Sequence, residues 1–273
     1  MLTNDTGAAT QSASLRFYSD NGLNVETYDQ RTATPPGEID FYIRHALESG
    51  GPVLELGSGT GRVSWQLARV GIGVVGLDRS EGMRNVAERK RAGESSETSA
   101  RVRFVAGDMS DFALGESFGL VIIPFRAFLM LVTPEAQRAA LRCAHRHLRA
   151  GGRLIVDIFD PRLDLLVQGR VERRQEIPDL QLDSGNVVAV EVLERFNDVV
   201  SQTLTETWRF SETTPSGDVV RQEEEVLQLR WIYRYEMRYL LELSGFVIEA
   251  EISDYFGAPP AYAKEQIWIA HQG

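Results

Sequence analysis

The segment Val53-Leu54-Glu55-Leu56-Gly57-Ser58-Gly59-Thr60-Gly61-Arg62 constrains the fold of this chain more than any other. A short apolar run ends in three glycines at every second position, and Val63, Leu67 and Val70 follow at helical spacing. The pattern reads as a strand, a tight turn and a helix. Glycines in such a turn adopt conformations that a Cβ forbids and let the backbone approach a ligand closely. The first N–H groups of the helix have no intrahelical partner and face whatever binds there.

The same alternation continues on both sides. Pro35-Pro36-Gly37-Glu38 starts a helix with Ile39, Tyr42, Ile43 and Leu47 on one face, and Gly50-Gly51 stops it. Strands are predicted over 52–56, 73–77, 101–106, 118–123 and 153–159. Helices are predicted over 62–70, from a cap at Ser80 through Met83, Val86 and Ala87, and over 134–148. Residues 94–99 read as a polar loop, and the first thirty residues as a loose opening. Apolar strands alternating with amphipathic helices imply a parallel sheet covered on both faces.

From 161 to 230 the helical period disappears. Runs over 187–196, 199–210 and 219–229, separated by Asn197-Asp198 and Pro215-Ser216-Gly217-Asp218, read as an antiparallel meander. A helix over 233–243 and strands over 246–253 and 266–270 complete the chain. The expected fold is α/β, a Rossmann-like doubly wound sheet formed by 1–160 and 231–273. Residues 161–230 are expected as an inserted antiparallel β meander covering the active site.

Composition removes several functions. The 273 residues carry a formal net charge of -10, which repels a phosphate polyanion, so nucleic acid is not an expected partner. Arg138, Arg142, Arg146 and Arg149 lie at helical spacing and read as a solvated face. Cys143 is the single cysteine and reads as a packing residue. No run resembles a signal peptide or approaches a membrane span, so a soluble, cytoplasmic protein with no membrane partner is expected. His145 and His147, two apart on a helix, diverge, and His45 and His271 lack ligand-spaced neighbours, so no metal site is expected.

The glycine spacing separates two nucleotide-binding families. A dinucleotide fingerprint would place its third glycine at position 62, which is Arg62. With G-x-G-x-G and an acid two residues before it, the segment resembles the first motif of class I S-adenosylmethionine-dependent methyltransferases. Gly76-Leu77-Asp78-Arg79-Ser80 ends the next strand in an acid suited to ribose hydroxyls. Val105-Ala106-Gly107-Asp108-Met109 resembles the segment of the same family that contacts adenine.

Further likeness in Tyr28-Asp29, Asp40-Phe41-Tyr42 and His147–Arg153 is to small-molecule methyltransferases related to the aminosugar N-methyltransferases. The resemblance implies S-adenosylmethionine as cofactor. It assigns Gly57, Gly59 and Gly61 to the methionine moiety, Glu55 to the amino end, Asp78 to ribose, and Asp108 and Met109 to adenine; Arg79, beside Asp78, is a candidate for the adenine edge or a solvated surface arginine. Tyr28 and Phe125 would close over the cofactor. Where the aminosugar enzymes carry a histidine after the fourth strand, this chain has Met130.

Methyl transfer from a sulfonium to N or O of a small-molecule acceptor is the expected reaction, helped mainly by holding the reactants together. Arg126, just past the fourth strand, is a candidate partner for an acceptor anion. Glu206, which shares a face of the predicted strand 199–210 with Val200, Gln202, Leu204, Trp208 and Phe210, is a candidate to orient or deprotonate the acceptor if that face covers the active site. Trp231, Tyr233 and Tyr255 read as core residues that also have the character of pocket walls. The alternatives are a non-catalytic S-adenosylmethionine-binding protein and an NAD(P)-dependent oxidoreductase, the latter lacking any Tyr-x-x-x-Lys. The long edges of the meander make a homodimer a candidate assembly.

Overall fold

The computed structural model describes residues 17–18, 21–166, 170–171 and 175–273. By internal contacts they divide into two units: the described parts of Met1–Ala33 with Leu163–Arg230, and Thr34–Arg162 with Trp231–Gly273.

The larger unit contains β1 (Val53–Leu56), β2 (Val74–Asp78), β3 (Val102–Ala106), β4 (Phe118–Ile123) and β5 (Leu148–Phe159). The chain then passes through β6 (Arg170–Val171), β7 (Gln175–Gln181), β8 (Val187–Asp198), β9 (Thr203–Thr213) and β10 (Val219–Arg230) of the other unit. It returns with β11 (Phe246–Ile252) and β12 (Glu265–Gln272).

The seven-stranded sheet has the order β11-β12-β5-β4-β1-β2-β3. β1 to β5 pair in parallel; β12 runs antiparallel to β5, and β11 antiparallel to β12. Val53 is in register with both Val74 and Leu120, so β1 lies inside the sheet, beside the central strand β4. β1 and β4 are buried along their whole length, as expected of strands with helices on both faces. Phe41, Tyr42, Val53, Val63, Leu67, Ile122, Ile155 and Ile267 belong to one core cluster. Trp65, Ala68 and Val102 form another, and the Trp65 indole donates to the Ala87 carbonyl at 3.1 Å.

The smaller unit holds a five-stranded antiparallel sheet in which β8 pairs β9, β6 and β7, and β9 pairs β10. Leu23, Leu180, Val188, Val190 and Phe210 make its core.

Four local expectations need correction. The 94–99 segment contains a helix, Ser96–Ala100, because the Ser95 hydroxyl accepts from Thr98 N–H and caps it. The opening thirty residues include the short helices Leu23–Glu26 and Tyr28–Arg31. β9 begins at Thr203 and not at 199, because the Asp198 carboxylate accepts from Val200 and Ser201 N–H and bends the chain there. Val200 and Gln202 therefore lie in the turn and not on the strand face with Glu206. Finally, β6 and β7 enlarge the expected three-stranded meander; a register shift between Ile177 and Leu180 accommodates Pro178, which has no N–H to donate.

Ile122 is fully buried on β4 between core neighbours, whereas Val200 is 91% exposed. Ile122→Ala is expected to lower unfolding free energy by about 2–5 kcal/mol. Val200→Ala is expected to stay within about 0.5 kcal/mol of the parent. Equilibrium denaturation with urea measures both.

Candidate active site

Strand order reverses between β1 and β4, where the connections leave in opposite directions from the carboxyl ends of the strands. The turn after β1 sits at this point. Gly57, Gly59 and Gly61 have φ of +73°, +55° and +73°, the left-handed region that a Cβ makes costly. Their surroundings differ in an informative way. A Cβ on Gly57 would lie 2.7 Å from the Ala127 Cβ, and one on Gly61 2.7 Å from the Phe104 ring. A Cβ on Gly59 would meet nothing within 4 Å. The turn is therefore packed at both ends and open in the middle.

Acids surround this opening. Glu55, on β1, is buried, and the Ser64 hydroxyl donates to its Oε2. Burial raises its carboxyl to about 8, so it is protonated at neutral pH unless a cation approaches. Asp78, ending β2, accepts from Gly59 N–H at 2.7 Å and from Ser80 N–H at 2.8 Å, one on each carboxylate oxygen. Burial also raises Asp78, against the pull of these two amides. The Ser58 hydroxyl is buried within the same turn without a hydrogen-bond partner. An unmade buried hydrogen bond beside an open backbone cradle marks a place where a polar ligand fits.

After β3, Asp108 accepts from the Ser110 N–H at 2.8 Å and its hydroxyl at 2.6 Å, both on Oδ1. Its Oδ2 lies 4.0 Å from Arg79, so these two expected residues do come together. Met109 reaches back to the glycine turn: its terminal methyl would be 3.2 Å from a Cβ on Gly57.

The segment after β4 carries the least ordinary backbone of the unit. Phe125 and Arg126 both have positive φ, +51° and +67°, in succession. The Arg62 guanidinium lies 4.9 Å from the centre of the Phe125 ring, and Arg126 covers the same ring from 6.0 Å. Arg62 also makes a two-pronged ion pair with buried Glu38 in the first turn of the helix Glu38–Ser49. Arg126 pairs with Glu265 on β12 at 2.6 Å. As a candidate for binding an acceptor anion, Arg126 thus carries a counter-ion already.

Two expected residues belong to the other unit. Tyr28 makes an edge contact with Tyr18, and Arg31 lies 5.4 Å above its ring. Glu206 is buried on β9 and accepts from Arg195 Nε at 2.6 Å and from the Trp208 indole at 2.9 Å. Both of its oxygens are committed within its own sheet.

Sequence reasoning missed Glu38, Arg62, Asp157 and Glu265. Asp157 stood as a single charge inside the apolar run 154–158, which is a legible sign of a buried carboxyl with a purpose. It is 1% exposed on β5, its Oδ2 accepts from the Tyr255 hydroxyl, and burial raises it to about 7. Among the described residues no group of three or more His, Cys, Asp and Glu is placed to hold a metal, and no helix is long and apolar enough to cross a membrane.

Glu55 and Asp157 fix the sign of a pH effect. Both keep their protons longer in the folded protein than the ordinary 4.5 and 3.8 of free carboxyls. The stability they contribute is complete below about pH 4 and is lost as pH rises through about 7 to 8. Relative to the parent, Glu55→Gln should therefore gain stability between pH 5 and 9, on the order of 2–4 kcal/mol. Thermal unfolding of both proteins across that range gives the comparison, and a constant difference would contradict the assignment.

Residues 53–152 match the family described as "Methyltransferase domain". Among curated relatives, the chain is 31% identical over 140 residues to the cypemycin N-terminal methyltransferase of a Streptomyces species, covering 50% of this chain and 55% of that one. It is 36% identical over 149 residues to the demethylmenaquinone methyltransferase of Clavibacter sepedonicus, covering 53% and 57%. The matched segment thus spans a little over half the length of these relatives. The solved structure of the CcbJ methyltransferase from Streptomyces caelestis superposes with a TM-score of 0.74 at 22% identity, over 94% of this chain and 98% of the other. That likeness extends the shared Rossmann-like fold to nearly the whole chain, and within it residues 53–152 are similar to the methyltransferase domain family.

Proposed function

We propose that the protein is an S-adenosylmethionine-dependent methyltransferase that transfers a methyl group to N or O of a small molecule. The observation that carries this reading is the glycine turn, open at Gly59, with the carboxyl groups of Glu55 and Asp78 beside it. Acids in that position suit a ligand bearing an ammonium and a sulfonium, whose positive charge favours their ionised forms, whereas a pyrophosphate would disfavour them. Arg62 adds to the same distinction, since its side chain is engaged by Glu38.

When bound, S-adenosylmethionine supplies an electrophilic methyl carbon and a neutral thioether leaving group. The chain's own residues then have distinct tasks. Gly57, Gly59 and Gly61 leave room for close approach, and Glu55 would balance the ammonium once ionised. Asp78 retains lone pairs for ribose hydroxyls beyond those used by Gly59 and Ser80. Asp108, Arg79 and Met109 would hold the base, and Phe125 would wall the site and exclude water. Catalysis then rests chiefly on holding the acceptor in line with the methyl carbon.

A nitrogen acceptor is the favoured form of this reading. With Met130 in the segment after β4 there is no imidazole base there, and an amine that binds neutral requires none. The relative named for N-terminal methylation supports the same choice. The formal charge of -10 favours a small molecule over nucleic acid.

Calorimetric titration with S-adenosylmethionine, S-adenosylhomocysteine and NAD tests the proposal. The first two are expected to bind and NAD is not. Asp78→Ala should weaken both adenosyl ligands by about 10- to 100-fold, the loss of one or two hydrogen bonds to a charged group. Binding of NAD alone would overturn the reading.

A further inference from the structure

The backbone after β4 is bent into two successive left-handed residues, neither of them glycine, a conformation that costs free energy at each. Such a turn persists only when its surroundings hold it. The holding group here is Asp157. Its carbonyl accepts from Arg126 N–H at 3.0 Å, and its carboxylate Oδ2 accepts from Phe125 N–H at 3.3 Å. One residue of β5 therefore binds both strained amides, with backbone and side chain together.

The turn in turn meets the glycine cradle. Ala127, whose N–H donates to the Pro124 carbonyl at 3.2 Å, is the residue whose Cβ closes against Gly57. Arg62, in the first turn of the helix that follows the glycines, lies over the Phe125 ring. A shift of the Phe125–Arg126 turn would thus be felt at both ends of the glycine segment.

We propose that Asp157 is a positioning residue for the cofactor site, holding the strained Phe125–Arg126 turn against the glycine segment while the Tyr255 hydroxyl holds Asp157. This rests on the methyltransferase reading for its consequence in ligand binding, but not for the hold on the turn. The Oδ1 of Asp157 is buried with no hydrogen-bond partner, so the carboxylate is bound on one oxygen only. Ionisation strengthens what Oδ2 does, because an N–H donates more strongly to a carboxylate than to a neutral acid.

The surroundings make that ionisation adjustable near neutrality. Burial raises the carboxyl to about 7, aided by Glu265 on β12 and Glu38 at the start of its helix, and opposed by the Tyr255 hydroxyl and the Phe125 amide. Tyr42, on the helix of Glu38, faces the same charge, as does Arg126 across the turn. Above about pH 7 the turn is held by a charged acceptor, and below it by a neutral one.

The test uses the full chain labelled with 15N-phenylalanine, with the Phe125 amide identified by its loss in Phe125→Leu. In the parent, that amide should shift with a midpoint near pH 7, and in Asp157→Asn the inflection should vanish. With S-adenosylhomocysteine as probe, Asp157→Ala should weaken binding by about tenfold, and Asp157→Asn, which keeps an acceptor oxygen, should stay within about threefold of the parent. A Phe125 amide with no inflection between pH 5 and 9, or one that still titrates in Asp157→Asn, would overturn the role of Asp157. So would parental affinity in Asp157→Ala. Failure of the parent to bind S-adenosylhomocysteine at all would instead sink the methyltransferase reading, while the amide titration still decides whether Asp157 holds the turn.

Discussion

The parallel pairing of β1 with β2 on one side and β4 on the other is the constraint from which the site follows. Two parallel neighbours require crossovers that leave the sheet on opposite faces, so the chain cannot fill the space above the carboxyl end of β1. What occupies that edge must be turn, and the turn must bend sharply enough to start a helix at Arg62. Three glycines with positive φ achieve this. Asp78 then fastens the turn sideways: by accepting from Gly59 N–H it links the end of β2 to the middle of the segment after β1. The same carboxylate shapes the cradle and presents its remaining lone pairs to it.

A second layer of charge lies around this frame. Glu38 with Arg62, and Arg126 with Glu265, flank the Phe125 ring, each guanidinium approaching it from its own ion pair. Pairing is what permits these charges where they are buried, since removing a carboxylate such as that of fully buried Glu38 from water is costly unless a counter-charge meets it. The placement of Glu38 in the first turn of its helix adds the favourable end of the helix dipole. The aromatic ring is thereby held by groups contributed from the helix Glu38–Ser49, the helix Arg62–Arg69 and β12, none of them adjacent to it in sequence.

That distinction explains how much was legible in the sequence. Periodicity is a local property, and it gave the parallel sheet, the helix after the glycines and Asp78 at a strand end to within a residue or two. Local chemistry was misjudged where one side chain decides the path of the chain. Ser95 converts a polar stretch into a helix, and Asp198 takes four residues out of the second meander strand. The long-range partners were invisible for a different reason: Tyr255 and the Asp157 it hydrogen-bonds are 98 residues apart, and the ion-paired Arg126 and Glu265 are 139 apart. Only their types, a lone acid in an apolar strand or an arginine past a strand end, gave notice that partners were needed.

The two carboxyls raised by burial answer opposite demands. Glu55 accepts from the Ser64 hydroxyl, and among the described residues no cation is hydrogen-bonded to it, so a positive charge brought by a ligand would favour its ionised form. Asp157 has a hydroxyl and a backbone amide, and its ionised form tightens a turn the fold already contains. A ligand carrying an ammonium would favour the ionised form of Glu55, whose proton passes to solvent, and would so lower the free energy of the filled cradle relative to the open one. Asp157 would gain nothing directly from such a ligand, because its donors belong to the protein. Its effect reaches the cradle only through Phe125, Arg126 and Ala127, which means that the shape of the site and the charge that fills it are set by different acids on different strands.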